Sequence, residues 1–255
     1  MDTEKPKYQT GLVLSGGAIR GVAHLGVMQA LMEKGITIDV LSGASAGSLA
    51  GAFFSEGYAP EEILKIISKK KIWELVHISI PHSGFFKIDG LRNILKKHIM
   101  TKRIEDLPIP MFISVTNLQE GKVEYLSEGP LIDSLIASSS IPALFEVTEI
   151  NNSFYVDGGV MDNLPVFPIK KLCEKIIAVY TNPTGKIDKI KHPAQIAERA
   201  FHLAIASDIQ RKKRLVTLYI EPRKLESYAM FDLRKAKEIF RAGYEETISA
   251  LDSYK

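Results

Sequence analysis

Three short stretches hold residue types that can do chemistry together. Gly43-Ala44-Ser45-Ala46-Gly47 is a G-x-S-x-G pentapeptide, Ser15-Gly16-Gly17-Ala18-Ile19-Arg20-Gly21 is a glycine-rich loop, and Val156-Asp157-Gly158-Gly159 ends an apolar run on a carboxylate. A serine hydroxyl becomes a nucleophile when a base lies within reach and backbone N–H groups await the oxyanion. That is acyl-transfer chemistry.

Each stretch alone has a plainer reading. The pentapeptide could be a glycine-rich turn with a capping serine, but it follows an expected strand and opens an expected helix, as a nucleophile elbow requires. Its other residues are all Gly or Ala, small enough for strand and helix to approach closely. The positive end of the helix would face the serine. The glycine-rich loop lacks the G-K-[ST] of a phosphate loop and has Ala18 where a dinucleotide fingerprint has its middle glycine. Asp39 stands at the start of the second strand rather than at its ligand-facing end. An oxyanion hole fits the loop best, because adjacent first and second parallel strands bring it beside Ser45. Asp157-Gly158 in isolation is a turn signal.

Taken in order, Gly16 to Gly21, Gly43 to Gly47 and Asp157-Gly158-Gly159 resemble the glycine-rich loop, serine elbow and D-G-[AG] motif of the patatin-like phospholipase family. Ser138 to Phe145 and Met161-Asp162-Asn163-Leu164-Pro165 look similar too, so the resemblance covers roughly residues 10 to 170. It implies a three-layer α/β/α sandwich and a Ser–Asp dyad acting through an acyl-enzyme on a lipid acyl ester, phospholipid or lysophospholipid. Ser45 would be the nucleophile and Asp157 its base. Gly16, Gly17 and Ala18 would form the oxyanion hole, with the N–H groups of Gly17 and Ala18 as donors, and Arg20 would brace the loop. No metal or organic cofactor is implied. The chain departs from the pattern at Ala18, where the family usually has a third glycine. An acyltransferase, or a binding protein of little turnover on the same fold, are the alternatives. An aspartate of ordinary pKa, about 3.9, is a poor base for a hydroxyl, so burial must raise it.

Elements that position these residues can be read from apolar spacing. Gly11 to Leu14 and Ile38 to Leu41 read as strands, each followed by a helix; Val22, Leu25, Met28 and Met32 mark the first. This rhythm implies a mainly parallel sheet covered by helices, an α/β fold. Met111 to Thr116, Val123 to Leu126, Ser153 to Val156, Ile176 to Tyr180 and Leu215 to Ile220 read as further strands. Pro60 to about Lys69, Leu91 to Ile99 and Leu131 to Ala137 read as helices. Ile196, Ala200, Leu203 and Ser207 mark one face of another, and Leu233, Ala236, Phe240, Tyr244, Ile248 and Leu251 trace a long stripe capped by Asp232. Residues 72 to 88, with Trp73, Phe85 and Phe86, suggest a cap or an acyl-pocket lining. Residues 1–255 are expected to form one domain.

The remaining candidates are weaker. A triad would need a histidine, and only His192 and His202 follow Asp157 in a Ser…Asp…His order; neither is at an expected strand end. His24 falls on the first helix, and His77, His82 and His98 lack metal-ligand spacing. Cys173 is the single cysteine, a structural thiol. Arg211-Lys212-Lys213-Arg214 reads as a solvated basic helix end. Apolar residues are 45% and the formal charge is only +3, which excludes nucleic-acid binding and permits loose peripheral attraction to an anionic membrane surface. No run reaches the roughly 18 apolar residues of a spanning helix, and a cytoplasmic protein is expected.

Overall fold

Alternate residues of the first strand enter two different cores. Leu12 and Leu14 join one buried cluster and Val13 the other, and the same split separates Leu41 from Val40, and Ile177 and Val179 from Ile176 and Ala178. A sheet buried on both faces needs helices or loops on both, which is why these strands read as near-continuous apolar runs. The computed structural model describes residues 5–68, 88–142, 144–185, 193–206, 208–228 and 233–253.

In chain order the elements are β1 (Tyr8–Leu14), α1 (Val22–Glu33), β2 (Val40–Ala44), α2 (Ala46–Ser55), α3 (Pro60–Ile67) and α4 (Asp89–His98). Then come β3 (Met111–Asn117), β4 (Lys122–Leu126), α5 (Leu131–Ser138), β5 (Thr148–Ile150) and β6 (Ser153–Asp157). The chain ends with β7 (Cys173–Val179), α6 (Pro193–Ala206), α7 (Ile209–Lys213), β8 (Leu218–Ile220) and α8 (Ala236–Ser253). The fold is α/β with a mixed, mostly parallel central sheet. Strands β8, β7, β1, β2 and β3 lie side by side in parallel, while β4, β6 and β5 join antiparallel.

One detail of register matters for the site. Ile113 and Ser114 of β3 pair with Gly43 and Ala44 of β2 and also with Leu126 and Tyr125 of β4, so β2 and β4 occupy opposite edges. Val115 pairs with Glu124 of β4 and with Asp157 of β6, so β6 shares an edge with β2. The two strands therefore run end to end along β3 from opposite directions, and their C-terminal ends meet.

Three expectations need correction. The fully buried residues of α8 are Ala236, Ile239, Ala242, Gly243 and Thr247; of the expected stripe Ala236 is among them, while Phe240 and Leu251 pack half-buried against the core. The crossing with α1 explains this: a Cβ on Gly243 would stand 2.1 Å from the Ala23 carbonyl, and one on Gly26 1.9 Å from that of Phe240, so small residues mark the contact. On α6 the apolar pair Ile196 and Leu203 is over half exposed rather than buried. Strand β5 was not expected; Asn151 and Asn152, both at positive φ, turn it into β6 as a two-residue hairpin. Asp232, Ser207 and most of the expected cap, with Trp73, His77, His82, Phe85 and Phe86, lie outside the described residues, as does His192.

Candidate active site

Ser45 sits between β2 and α2 with φ 49° and ψ −123°, a conformation that costs a non-glycine residue about 1–3 kcal/mol. Its surroundings over-determine it. The Ser45 N–H donates to Ser138 Oγ at 2.9 Å, and that hydroxyl donates onward to the Ser114 carbonyl of β3 at 2.8 Å. The Ser45 carbonyl accepts Ser48 Oγ at 2.6 Å and Leu49 N at 3.1 Å, starting α2. The small neighbours are required by space: a Cβ on Gly43 would stand 2.7 Å from Ser48 N, and one on Gly47 2.3 Å from the Leu14 carbonyl of β1. Gly21 likewise leaves room for Ala46, whose Cβ would be 2.5 Å from its own.

Asp157 arrives at the same point from β6. Its backbone N–H donates to the Ser140 carbonyl at 3.0 Å, its carbonyl accepts Thr116 Oγ1 at 3.0 Å, and its Oδ1 accepts the Gly159 N–H at 2.7 Å. Gly158 lets β3 pass, since a Cβ there would lie 2.1 Å from the Ser114 carbonyl. The carboxyl is buried, and burial lifts its pKa to about 6, against hydrogen bonds from the Ser45 side chain and the Gly159 amide that favour the carboxylate. The structure thus brings Ser45 and Asp157 together at one niche, with the Ser45 side chain favouring the ionised carboxyl.

The glycine-rich loop closes over this pair. The Gly16 N–H is already given to the Asn163 carbonyl at 3.1 Å, so it cannot serve an oxyanion. Among the described residues, no acceptor takes a hydrogen bond from the Gly17 or Ala18 N–H. Ala18 adopts φ 47°, the positive value the third glycine of the pattern would supply. A niche of about 20 Å³ is bounded by Gly17, Ala18, Ser45, Asp157, Asn163 and Asn182. Arg20 Nε donates to the Tyr228 carbonyl at 2.9 Å, tying the loop to the C-terminal part of the chain. His24 is fully buried beneath the loop with Nε2 2.8 Å from the Ser15 carbonyl; burial lowers its pKa to about 4, so Nε2 carries the proton and donates.

A second space opens on the other side of Ser45. It holds about 210 Å³ and is almost wholly apolar, walled by Ile19, Leu25, Leu49, Phe53, Ile63 and Ile88 among others. Ser45, Ala18 and Ile141 border both spaces, so the hydroxyl stands where a polar niche meets an apolar cavity. The sequence pointed to residues 72–88 for such a lining; of these only Ile88 is described. Most of the remaining walls come from α1, α2, α3 and α4, whose apolar faces look in sequence like ordinary core, and the rest from the glycine-rich loop and from Ser139, Ile141 and Phe145.

Reading the sequence assigned no role to four polar residues around the site, although Asn163 lay in a stretch that resembles the family. Lys212, expected in water, is buried against Asp162. Asn163 lines the niche with Nδ2 buried and unpartnered, and Thr181 and Asn182 hold the Gly16 carbonyl. Among the described residues no group of His, Cys, Asp or Glu could hold a metal ion, and no helix is long and apolar enough to cross a membrane.

Known proteins of similar sequence and shape extend this picture. Lysophospholipase NTE1 of Candida glabrata is 31% identical over 91% of the chain, and that of Saccharomyces cerevisiae 30% over 92%. The chain spans only 15% and 16% of the length of these two relatives. An uncharacterized NTE family protein of Mycobacterium tuberculosis H37Rv is 32% identical over 63% of the chain and 45% of its own length. In shape the chain resembles VipD from Legionella pneumophila, with a TM-score of 0.56, 17% identity, and coverage of 98% of this chain and 67% of that one. The model of the patatin-like phospholipase family matches residues 12–169, more than half of the 255, and the chain belongs to that family.

Proposed function

We propose that the chain hydrolyses fatty-acyl esters of phospholipids or lysophospholipids through Ser45 and Asp157. The observation that carries this reading is Ser45, which shares a niche with the buried Asp157 carboxyl, of pKa about 6, and stands at the rim of an apolar cavity. Such a carboxyl is ionised at neutral pH yet basic enough to accept a proton in a transition state.

Ser45 Oγ attacks the ester carbonyl carbon as its proton passes to Asp157. The carbonyl oxygen becomes an oxyanion held by the N–H groups of Gly17 and Ala18, assisted by the positive end of α2. Collapse breaks the bond to the leaving alkoxide, which takes the proton from Asp157, and an acyl group remains on Ser45. Water then attacks that ester with Asp157 again accepting the proton, and the fatty acid leaves as Ser45 is reprotonated. Raised pKa and apolar cavity serve one another: both require water to be excluded.

The acyl chain would lie in the apolar cavity. A dry cavity of roughly 150 Å³ admits benzene, so 210 Å³ corresponds to about eight carbons held beyond the carbonyl. The names of the yeast relatives favour a lysophospholipid, and such a substrate implies peripheral contact with a membrane or micelle. A fluorophosphonate should label Ser45 alone, and fatty acid should be released from lysophosphatidylcholine by the wild type but not by Ser45→Ala. A folded protein that neither labels nor releases fatty acid would leave the chain as a binding protein on this fold.

A further inference from the structure

Past the end of β7 the chain places two fully buried polar side chains, Thr181 and Asn182, that touch neither Ser45 nor Asp157 by any hydrogen bond among the described residues. Both converge on one atom. Asn182 Nδ2 donates to the Gly16 carbonyl at 2.6 Å and Thr181 Oγ1 at 3.1 Å, while Ser15 Oγ donates to the same oxygen at 3.0 Å. The Ser15 hydroxyl is itself held, accepting Thr181 N–H at 3.0 Å and lying 3.2 Å from Thr181 Oγ1. A carbonyl oxygen has two lone pairs, so the Asn182 amide holds one and the two hydroxyls share the other. Three side-chain donors on one loop carbonyl are more than the fold needs to satisfy it.

The consequence falls on the next atom of the chain. The peptide between Gly16 and Gly17 is trans, and in a trans peptide the N–H points opposite to the C=O. Drawing the Gly16 carbonyl toward the end of β7 therefore turns the Gly17 N–H away from it, as a donor reserved for an oxyanion must be. Hydrogen bonds to a carbonyl also polarise its peptide and strengthen the N–H on the far side, by about 10–30% per bond. The following peptide is treated alike, since the Gly17 carbonyl accepts Arg20 N at 3.0 Å behind the Ala18 N–H. Space enforces the arrangement: a Cβ on Gly17 would stand 2.3 Å from Thr181 Oγ1.

The geometry points to Thr181 and Asn182 as positioning residues for the reaction, which orient and polarise the Gly16–Gly17 peptide so that its N–H holds the oxyanion. This rests on the hydrolase reading given above. Asn182 borders the niche and Thr181 does not, but both are assigned their role through the backbone of the glycine-rich loop.

The test compares Asn182→Leu, Thr181→Val and Thr181→Ser in the full chain, with thermal melts, kcat and KM on a p-nitrophenyl ester. It adds affinity for an alkyl trifluoromethyl ketone, whose hemiketal with Ser45 places a negative oxygen in the oxyanion hole. Deleting an oxyanion donor outright costs about 10²–10³ in kcat, so loosening one should cost less, about 10- to 100-fold for Asn182→Leu and about 3- to 10-fold for Thr181→Val. KM should stay within about twofold, ketone affinity should fall in step with kcat/KM, and Thr181→Ser should recover most of the loss. Folded variants whose kcat and ketone affinity match the wild type would overturn the inference, as would losses confined to KM. Should Asn182→Leu not fold, the Val and Ser variants at position 181 decide alone, since Val replaces the hydroxyl with a methyl and Ser keeps it. A wild type that fluorophosphonate does not label would instead remove the hydrolase reading, whereas unchanged labelling rates in the variants would remove only this inference.

Discussion

The Lys212 ammonium lies 2.5 Å from Asp162 Oδ1, and both side chains are only 4% exposed. The same carboxylate accepts the Tyr125 hydroxyl at 2.5 Å and the Leu164 N–H at 3.1 Å. Asp162 precedes Asn163, whose carbonyl receives the Gly16 amide, so this ion pair fixes the segment between Asp157 and the glycine-rich loop to α7. The basic run at 211–214 is thus not uniformly solvated: Arg211 is 66% exposed while its neighbour turns inward.

Lys212→Met should cost about 3–5 kcal/mol, because it leaves a carboxylate buried without its cation. Combining it with Asp162→Asn removes both charges and should restore part of that stability. Urea denaturation measures both, and a single variant within about 1 kcal/mol of wild type would show that water reaches Asp162 and screens it.

Activity should fall on the acid side with a limb near pH 6. Asp157 must be ionised to accept the Ser45 proton, so kcat/KM drops tenfold per pH unit below its pKa of about 6 and is level above it. A pH profile on an uncharged ester locates the limb. An inflection at the ordinary carboxylate value near 4 would mean that the carboxyl is solvated.

Asp157→Asn should be inactive yet more stable than wild type above pH 6. The folded pKa is raised, so folding favours the protonated form; its stabilising effect is complete below the unfolded value and is lost as pH rises through about 6. At pH 7.5 the buried carboxylate therefore destabilises the wild type, by about 3 kcal/mol at one pKa unit per 1.36 kcal/mol. Asn keeps the acceptor for the Gly159 N–H without the charge. His24, held neutral, loses stability in the opposite direction as pH falls from 6.5 toward 4, but it is common to both proteins and cancels in the difference. Denaturation at pH 7.5 and at pH 4 should show the gap narrowing at the lower pH; a constant gap would refute the linkage.

What could be read from the sequence divides along a physical line. Ser45 was legible because an elbow at positive φ needs Gly43 and Gly47, and those glycines are local in sequence. Strands such as β1 and β7 were legible because burial on both faces leaves an unbroken apolar run. The meeting of β2 with β6 was not, since it depends on both sharing one edge of β3, a matter of pairing between distant segments. Lys212, Thr181 and Asn182 were missed for the same reason: their partners, Asp162 and Gly16, are far away in the chain. The two-asparagine hairpin into β6 carried a local signal and could have been found.

Chain-length preference should follow the apolar cavity. Each methylene buried contributes about 0.8 kcal/mol, or about fourfold in kcat/KM where the chain stays bound in the transition state. Activity on p-nitrophenyl esters should therefore climb with length and level off at about eight carbons. Ala50→Phe, which fills part of the cavity from α2, should move the plateau to shorter chains and spare the acetate ester most. An unchanged length profile in the folded variant would mean that the chain lies elsewhere.

The base itself is decided by comparing Asp157→Asn with His202→Ala. In a dyad the carboxylate takes the Ser45 proton directly, so Asn, which has nearly the same shape and keeps the Gly159 hydrogen bond, should abolish turnover almost as fully as Ser45→Ala. In a triad the aspartate only orients a histidine, and that histidine is the residue whose loss costs most, roughly 10⁶-fold in a serine protease. The question is open to experiment because α6 contributes Ile205 to the niche, and His202 stands one turn earlier on that helix. His24 is a poor alternative, since its Nε2 is given to the Ser15 carbonyl beneath the loop. His192→Ala is included as the other histidine that follows Asp157 in sequence. We expect both histidine variants to keep most of their kcat, and Asp157→Asn to lose at least about 10⁴ of it. Thermal melts must accompany each assay, because Asp157 also caps the turn at Gly158-Gly159 and a misfolded variant would mimic a lost base. A folded His202→Ala protein with activity near zero would sink the dyad and assign the proton transfer to that imidazole instead.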